Sequence, residues 1–273
     1  MREHRESPAE IAATLIGSSA ATRELRDEAD LASRLLVGVM IAGESGVGKK
    51  RLAELIHRQS VRGRAPFVPV RCADLGDAQL EARLFGDLCR VSRAGALERA
   101  DGGTIFLEDV DALSLRLQAR LLRFLVTGDG QPVGGNTLCP RVNVRIICST
   151  TIPLIERRTP GSFRTDLYYL LNTVYLPIPP LRERPEDVRP LLEYFTAYYA
   201  RRNGVVPPQL TLECLASGLK YDWPGNVRQL QAAAALIVAP TLRATPREIF
   251  ESAARCLPSF TTHESSHRAG VRN

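Results

Sequence analysis

The sequence predicts a doubly wound α/β domain on a parallel sheet, followed by a small helical subdomain. Three observations carry this. A continuous apolar run at 35–43 leads into the glycine-rich stretch GESGVGKK, Gly43 to Lys50, and then into helical spacing. Four further short β-type runs alternate with helical patterns, as parallel strands joined by crossover helices require. After PPLRERPEDV (179–188) the β signals stop and only helical patterns remain.

In order, residues 1–14 are charged and expected to be flexible. LIGSSAATRELRDEADLASR reads as a short leading segment and then an amphipathic helix. LLVGVMIAG is the pattern of a strand buried on both faces. KKRLAELIHRQS has its apolar residues (Leu52, Leu55, Ile56) at helical steps. PFVPVRC (66–72), GGTIFLEDV (102–110), RVNVRIICST (141–150) and TVYLPIPP (173–180) are the remaining strands. GDAQLEARLFG and LSLRLQARLLRFLVTGD fill the helical intervals, the second with leucines at three- and four-residue steps. Three helical segments follow: PEDVRPLLEYFTAYYARRNG, TLECLASGLKYDW and GNVRQLQAAAALIV. A last short helix in TPREIFESAARCL carries a capping box, Thr245 with Glu248. The expected division is 1–14 flexible, 15–182 α/β, 183–242 helical, and 243–273 a short helix and a polar tail.

Composition limits the class. The net charge of +6 is carried almost wholly by arginine, since Lys49, Lys50 and Lys220 are the only lysines. Such a skew reads as genome composition before nucleic-acid binding. The six cysteines form no CxxC pair and are expected to be free thiols. With no apolar run long enough to span a bilayer and no secretory h-region in MREHRESPAE, a cytoplasmic location is expected.

The chemistry is concentrated in GESGVGKK. Gly43, Gly46 and Gly48 let the backbone curl so that N–H groups face an anion. The following helix adds its positive N-terminal end. Glu44, Ser45, Val47 and Lys50 complete the loop, and Lys49 is placed to reach phosphate oxygens. TIFLEDV supplies Glu108 and Asp109, carboxylates at the end of a neighbouring strand.

Together, LIGSS, GESGVGKK, ADGGTIFLEDV, VRIICST, FRTDLYYLLN, PPLRERPEDV and YDWPGNVRQL resemble the central AAA+ domain of bacterial sigma-54-dependent transcriptional activators, from about Leu15 to Ile237. The resemblance implies a P-loop AAA+ fold with a helical lid. It implies a ring-forming ATPase that takes ATP and Mg²⁺ and acts on RNA polymerase with sigma-54. By position it implies that Lys49 binds phosphate and that Glu108 holds Mg²⁺ through water. Asp109 would activate the attacking water. Arg164 would reach a neighbour's nucleotide as an arginine finger, and Arg228 would be the sensor arginine of the lid.

The sequence also departs from that family. Lys50 stands where the family commonly has Glu. Glu108-Asp109 reverses the usual Asp-Glu, which leaves a shorter side chain at the water-activating position. A displacement on the order of 1 Å there can cost about a hundredfold in rate. Arg71 replaces an Asn that contacts the catalytic Glu, and its charge is expected to pair with Glu108 or Asp109. Leu170 replaces a second finger arginine, and Thr151 replaces the sensor Asn. Between LFG (84–86) and RAGALERADGG only DLCRVS (87–92) remains, so the GAFTGA loop that touches sigma-54 is absent. No helix-turn-helix is recognised after the lid, and no sensor domain before the loop.

These features favour a chain that binds ATP with weak or no hydrolysis and that does not itself remodel the sigma-54 holoenzyme. It would assemble with itself or with a full-length family member. The alternative is an active ATPase working as a sigma-54-dependent activator. HESSH (263–267) matches HExxH, but it lies in a Ser-rich tail without an apolar face or third ligand, so a zinc site there is the remote alternative.

Overall fold

The computed structural model describes residues 15–86, 94–128, 141–152, 154, 162–239 and 245–255. DLCRVS and HESSH lie outside the described residues. The elements, in chain order, are α1 (Ala20–Arg34), β1 (Val39–Ala42), α2 (Lys49–Gln59), β2 (Phe67–Arg71), α3 (Asp77–Phe85), α4 (Ala96–Arg99), β3 (Thr104–Glu108), α5 (Leu115–Thr127), β4 (Arg145–Thr150), α6 (Thr165–Leu171), β5 (Val174–Pro177), α7 (Val188–Asn203), α8 (Leu212–Lys220), α9 (Asn226–Val238) and α10 (Pro246–Arg255).

The five strands form one parallel sheet in the order β2-β3-β4-β1-β5. Composition explains the positions. β1 and β4 are buried along their whole length and stand in the interior. β2 and β5 contain Pro69 and Pro177, which cannot donate to a ladder on both sides, and they are the two edges. The apolar run at 35–43 is a strand only from Val39. Leu35 instead caps α1, its N–H bonding to Ala32 O, and Leu35 and Leu36 are 49% and 53% exposed. Apolar character alone does not separate a strand from the turn that leads into it.

Two cores lie on the two faces of the sheet. Leu25 and Ala29 of α1 and Leu52 and Ile56 of α2 cover one. Leu80, Leu97, Leu117 and Leu121 of α3, α4 and α5 cover the other. A fully buried leucine or isoleucine contributes about 1.5–3 kcal/mol, so these faces hold the sheet in place. The third core belongs to the helical unit and centres on Trp223, with Leu192, Leu230 and Phe250. The Trp223 indole N–H donates to Gly218 O at 2.8 Å. The capping box forms: Thr245 N–H donates to Glu248 Oε2 at 2.8 Å, and Glu248 N–H reaches Thr245 Oγ1 at 3.4 Å.

One buried carboxylate joins the parts. Asp187, fully inaccessible, accepts from Ser18 N–H (2.7 Å), Ser19 N–H (2.8 Å), Ser19 Oγ (3.0 Å) and Thr22 Oγ1 (2.5 Å). Arg184 pairs with it at 3.4 Å, and its other Nη donates to Val47 O at 3.1 Å. The leading segment, the glycine loop and the start of the helical unit are thereby tied at one point. Replacing Asp187 with Ala leaves the buried Arg184 guanidinium without its counter-charge and four donors without this acceptor. The expected loss is about 3–5 kcal/mol of unfolding free energy, read from urea denaturation.

Candidate functional site

The site is the cleft between the sheet's C-terminal edge and the helical unit. It encloses about 740 Å³, within the range of small-molecule sites. Its floor is the glycine loop. Gly48 has φ +110° and caps α2 without a side-chain hydrogen bond. A Cβ there would meet nothing, so the backbone angle and not lack of space calls for glycine. Leu52 N–H is bonded to Gly48 O, while the amides of the first turn of α2 have no intrahelical acceptor. Lys49, Lys50 and Arg51 carry those amides and line the cleft. This is the arrangement of backbone donors and helix-end charge that holds an anion.

Lys49 is 7% exposed and folds back over the loop, its Nζ donating to Gly43 O at 2.6 Å and Glu44 O at 3.2 Å. Burial pushes its pKa below the ordinary lysine value, against the pull of Asp109, Glu108 and Asp111. A phosphate would restore the stabilisation that burial removes.

The helical unit is fastened to the loop from above. Arg182 makes a two-pronged ion pair with Glu44 at 2.6 and 2.9 Å. Chiefly through that bond, the Glu44 carboxyl is held below its usual pKa. Asn226, fully buried at φ +51°, donates to Glu44 Oε2 and Ser45 O at 3.0 Å each and accepts from Leu181 N–H at 2.8 Å. Arg228 N–H donates to Gly46 O at 3.2 Å, and its side chain reaches Ser45 Oγ at 3.3 Å.

At the acidic end, Glu108 closes β3 and Asp109 follows in the left-handed conformation (φ 57°). Its N–H reaches Ser149 Oγ at 3.4 Å. The β2–β3 register sets Arg71 opposite Glu108. From there Arg71 Nε pairs with Asp109 Oδ2 at 3.2 Å and with Asp74 at 3.4 Å. Burial opposes the Arg71 charge, but the bond to Asp109 and the surrounding carboxylates outweigh it and raise the guanidinium's pKa. The charge expected to pair with Glu108 or Asp109 thus pairs with Asp109.

The far end of the cleft is apolar and aromatic, with Leu15, Ile16, Tyr194, Phe195, Tyr198 and Val227. An anion-binding end together with an apolar, aromatic lining fits a nucleoside triphosphate. A divalent cation fits less well. Asp109 is already ion-paired, Lys50 adds positive charge, and no group of three ligating side chains stands together among the described residues.

Of the sequence-derived candidates, Ser45, Gly46, Val47, Gly48, Lys49, Lys50, Glu108, Asp109 and Arg228 line the cleft, as does Thr151. Gly43 and Glu44 stand behind the loop, one accepting from Lys49 and the other held by Arg182. Arg164 lies outside the cleft of its own chain. It precedes α6, exposed, with bonds of 2.7 and 3.1 Å to Asp166. Arg182, Arg184 and Asn226 were not singled out from sequence, although the strings RERPED and WPGN that hold them were.

Cys72, Cys148 and Cys214 are free and buried. Burial, with the nearby carboxylates of Asp109, Asp111 and Glu108 adding to it, pushes the Cys72 thiol up to about 12, so it is inert.

A methyl group on Gly46 would fall 2.3 Å from Gly225 O, at a φ of +82°. Gly46→Ala is therefore expected to lower stability by more than about 1 kcal/mol and to push the helical unit off the loop. Thermal melting checks this; an unchanged melting temperature would mean that the two do not touch in solution.

Comparison with known proteins fits this geometry. The family described as Sigma-54 interaction domain matches residues 15–177, and the AAA+ ATPase lid domain matches residues 182–252. The C4-dicarboxylate transport transcriptional regulatory protein DctD of Pseudomonas aeruginosa is 39% identical over 231 residues, covering 82% of this chain and 50% of that protein. The anaerobic nitric oxide reductase transcription regulator NorR of Vibrio vulnificus is 41% identical over 236 residues, covering 83% of this chain and 46% of that protein. The chain thus spans about half the length of these curated relatives. NtrX from Brucella abortus, solved in complex with ATP, superposes with a TM-score of 0.78 at 34% identity, over 86% of this chain and 56% of that one. With its parallel sheet, phosphate loop and helical lid, this chain belongs to the sigma-54 interaction domain family of AAA+ proteins.

Proposed function

We propose that this chain is an ATP-binding AAA+ module of transcription regulation that turns nucleotide over slowly or not at all. The observation that carries the reading is the ion pair between Arg71 and Asp109 at 3.2 Å. Holding a triphosphate takes backbone amides, Lys49 and Arg228, and these line one cleft. Hydrolysis takes more: a carboxylate free to orient water and accept its proton in the transition state. Asp109 is the side chain at that place, and Arg71 occupies it. NtrX, 34% identical, was solved with ATP and with ADP, which supports nucleotide as the ligand here.

Two further features support a role without direct remodelling of the sigma-54 holoenzyme. A Cβ on Gly95 would stand 2.5 Å from Leu84 O and 2.6 Å from Gly86 N, so the chain leaves α3 and returns to α4 at nearly one point. Only residues 87–93, without GAFTGA, separate Gly86 from the described residues that resume at Ala94. Leu170, 44% exposed beside Tyr169, presents an apolar surface where the resemblance places a second finger arginine. The partner this suits is another copy of the chain or a full-length family member in a ring, with Arg164 on the outer surface facing the neighbour's cleft. The setting is the cytoplasm; no helix among the described residues is long and apolar enough to cross a membrane.

Calorimetric titration with ATP is expected to give micromolar-class binding that Lys49→Ala abolishes, while phosphate release stays near background. In the double variant Arg71→Asn, Asp109→Glu, which frees the position and restores the longer carboxylate, turnover should rise by at least about tenfold. Robust wild-type turnover that vanishes in Lys49→Ala would sink the reading. The chain alone is also expected to give no open complex in a purified sigma-54 transcription assay; a positive result favours the active-ATPase alternative.

A further inference from the structure

The chain leading into α1 is gripped by opposite charges at its two ends. Residues 15–18 belong to no helix or strand, so side chains order them. Arg26, half-buried in the second turn of α1, turns its guanidinium back on this segment. Its Nε and Nη2 donate to Leu15 O at 3.0 and 2.7 Å, and Nη2 also donates to Gly17 O. The amides that follow, Ser18 N–H and Ser19 N–H, donate to Asp187 instead. A cation thus meets the carbonyls and an anion meets the amides, both in charge-assisted hydrogen bonds. Ile16 stands between the two residues whose carbonyls Arg26 holds. Leu15 packs on the core that α1 and α2 share with the sheet, whereas Ile16 packs, as do Phe195 and Val227, on the core of the helical unit. Both line the cleft, and Arg26 does not. The place of this part of the lining is therefore set by a side chain outside the cleft.

We propose that Arg26 is a positioning residue for nucleotide: by holding the Leu15 and Gly17 carbonyls it fixes Leu15 and Ile16 as an apolar wall against which the base packs. The inference rests on the nucleotide-binding reading above and adds to that site a residue that does not touch the ligand. Without the guanidinium the two carbonyls turn to water, and the segment is held only by its following amides at Asp187. Ordering Leu15 and Ile16 then becomes a cost met at each binding event, which lowers affinity. Lysine, with a single nitrogen and a shorter reach, replaces part of the arginine fork.

The test is calorimetric titration of the intact chain with ATP. Arg26→Met keeps the aliphatic stem and removes every donor. It is expected to weaken binding by about tenfold, with Arg26→Lys returning to within about threefold of the wild type. A double-mutant cycle with Ile16→Ala reads the route. Once Ile16 is truncated, Arg26→Met is expected to cost less than about twofold more. In the wild type, ATP is expected to slow hydrogen exchange at the Ile16 and Gly17 amides, a measurement that needs no variant to fold. Additive losses in the cycle, or ATP affinity of Arg26→Met equal to that of the wild type, overturn this inference alone. So does unchanged exchange at those amides when ATP is bound. No binding of ATP by the wild type overturns the nucleotide reading and this inference with it. Circular dichroism confirms the fold of the variants.

Discussion

The buried carboxylate of Asp187 is the constraint on which the rest of the molecule depends. A charge with no solvent access is tolerable only when it is fully hydrogen-bonded and paired. Asp187 meets that condition by drawing donors from Ser18, Ser19 and Thr22, some 165 residues or more away in sequence, and from the neighbouring Arg184. Because Arg184 also reaches Val47 O, the same knot fixes the glycine loop. The cleft lies between two units, and a fixed joint beside the loop makes its two sides one rigid site.

A second set of contacts makes the loop and the lid a single object. Glu44 is held by Arg182 and Asn226, and Gly46 lies so close to Gly225 O that it could not carry a side chain there. An anion settling on the loop amides therefore acts on groups that the lid is already gripping. A nucleotide bound as proposed would act on α9 through the contacts of Asn226 and Arg228 with the loop.

With nucleotide bound as proposed, binding and turnover would rest on different parts of the site. Phosphate is held mostly by backbone amides and helix-end charge, which depend on glycines and chain geometry and survive many substitutions. Water activation depends on one side chain reaching one point. An arginine at the end of an edge strand, in register with Glu108, is enough to occupy Asp109. That pairing does not involve the loop, while chemistry that needed Asp109 as a free carboxylate would lose it.

The sequence by itself determined the sheet, the glycine loop, the helical lid and the capping box at Thr245, because each rests on short-range periodicity or on residues within a turn of one another. It also placed Arg71 among the candidate partners of Glu108 and Asp109. It did not show where the apolar run at 35–43 becomes a strand, since Leu35 and Val39 have the same character and only hydrogen bonding separates them. Nor did it show Arg182, Arg184 and Asn226 as parts of the site, or put Glu44 behind the loop. Their partners lie about 137 to 182 residues away, across the joint between two units. Which carboxylate Arg71 takes was likewise decided by tertiary structure. Strand register and the left-handed turn at Asp109 bring that oxygen within reach, and no local pattern encodes a distance between strands.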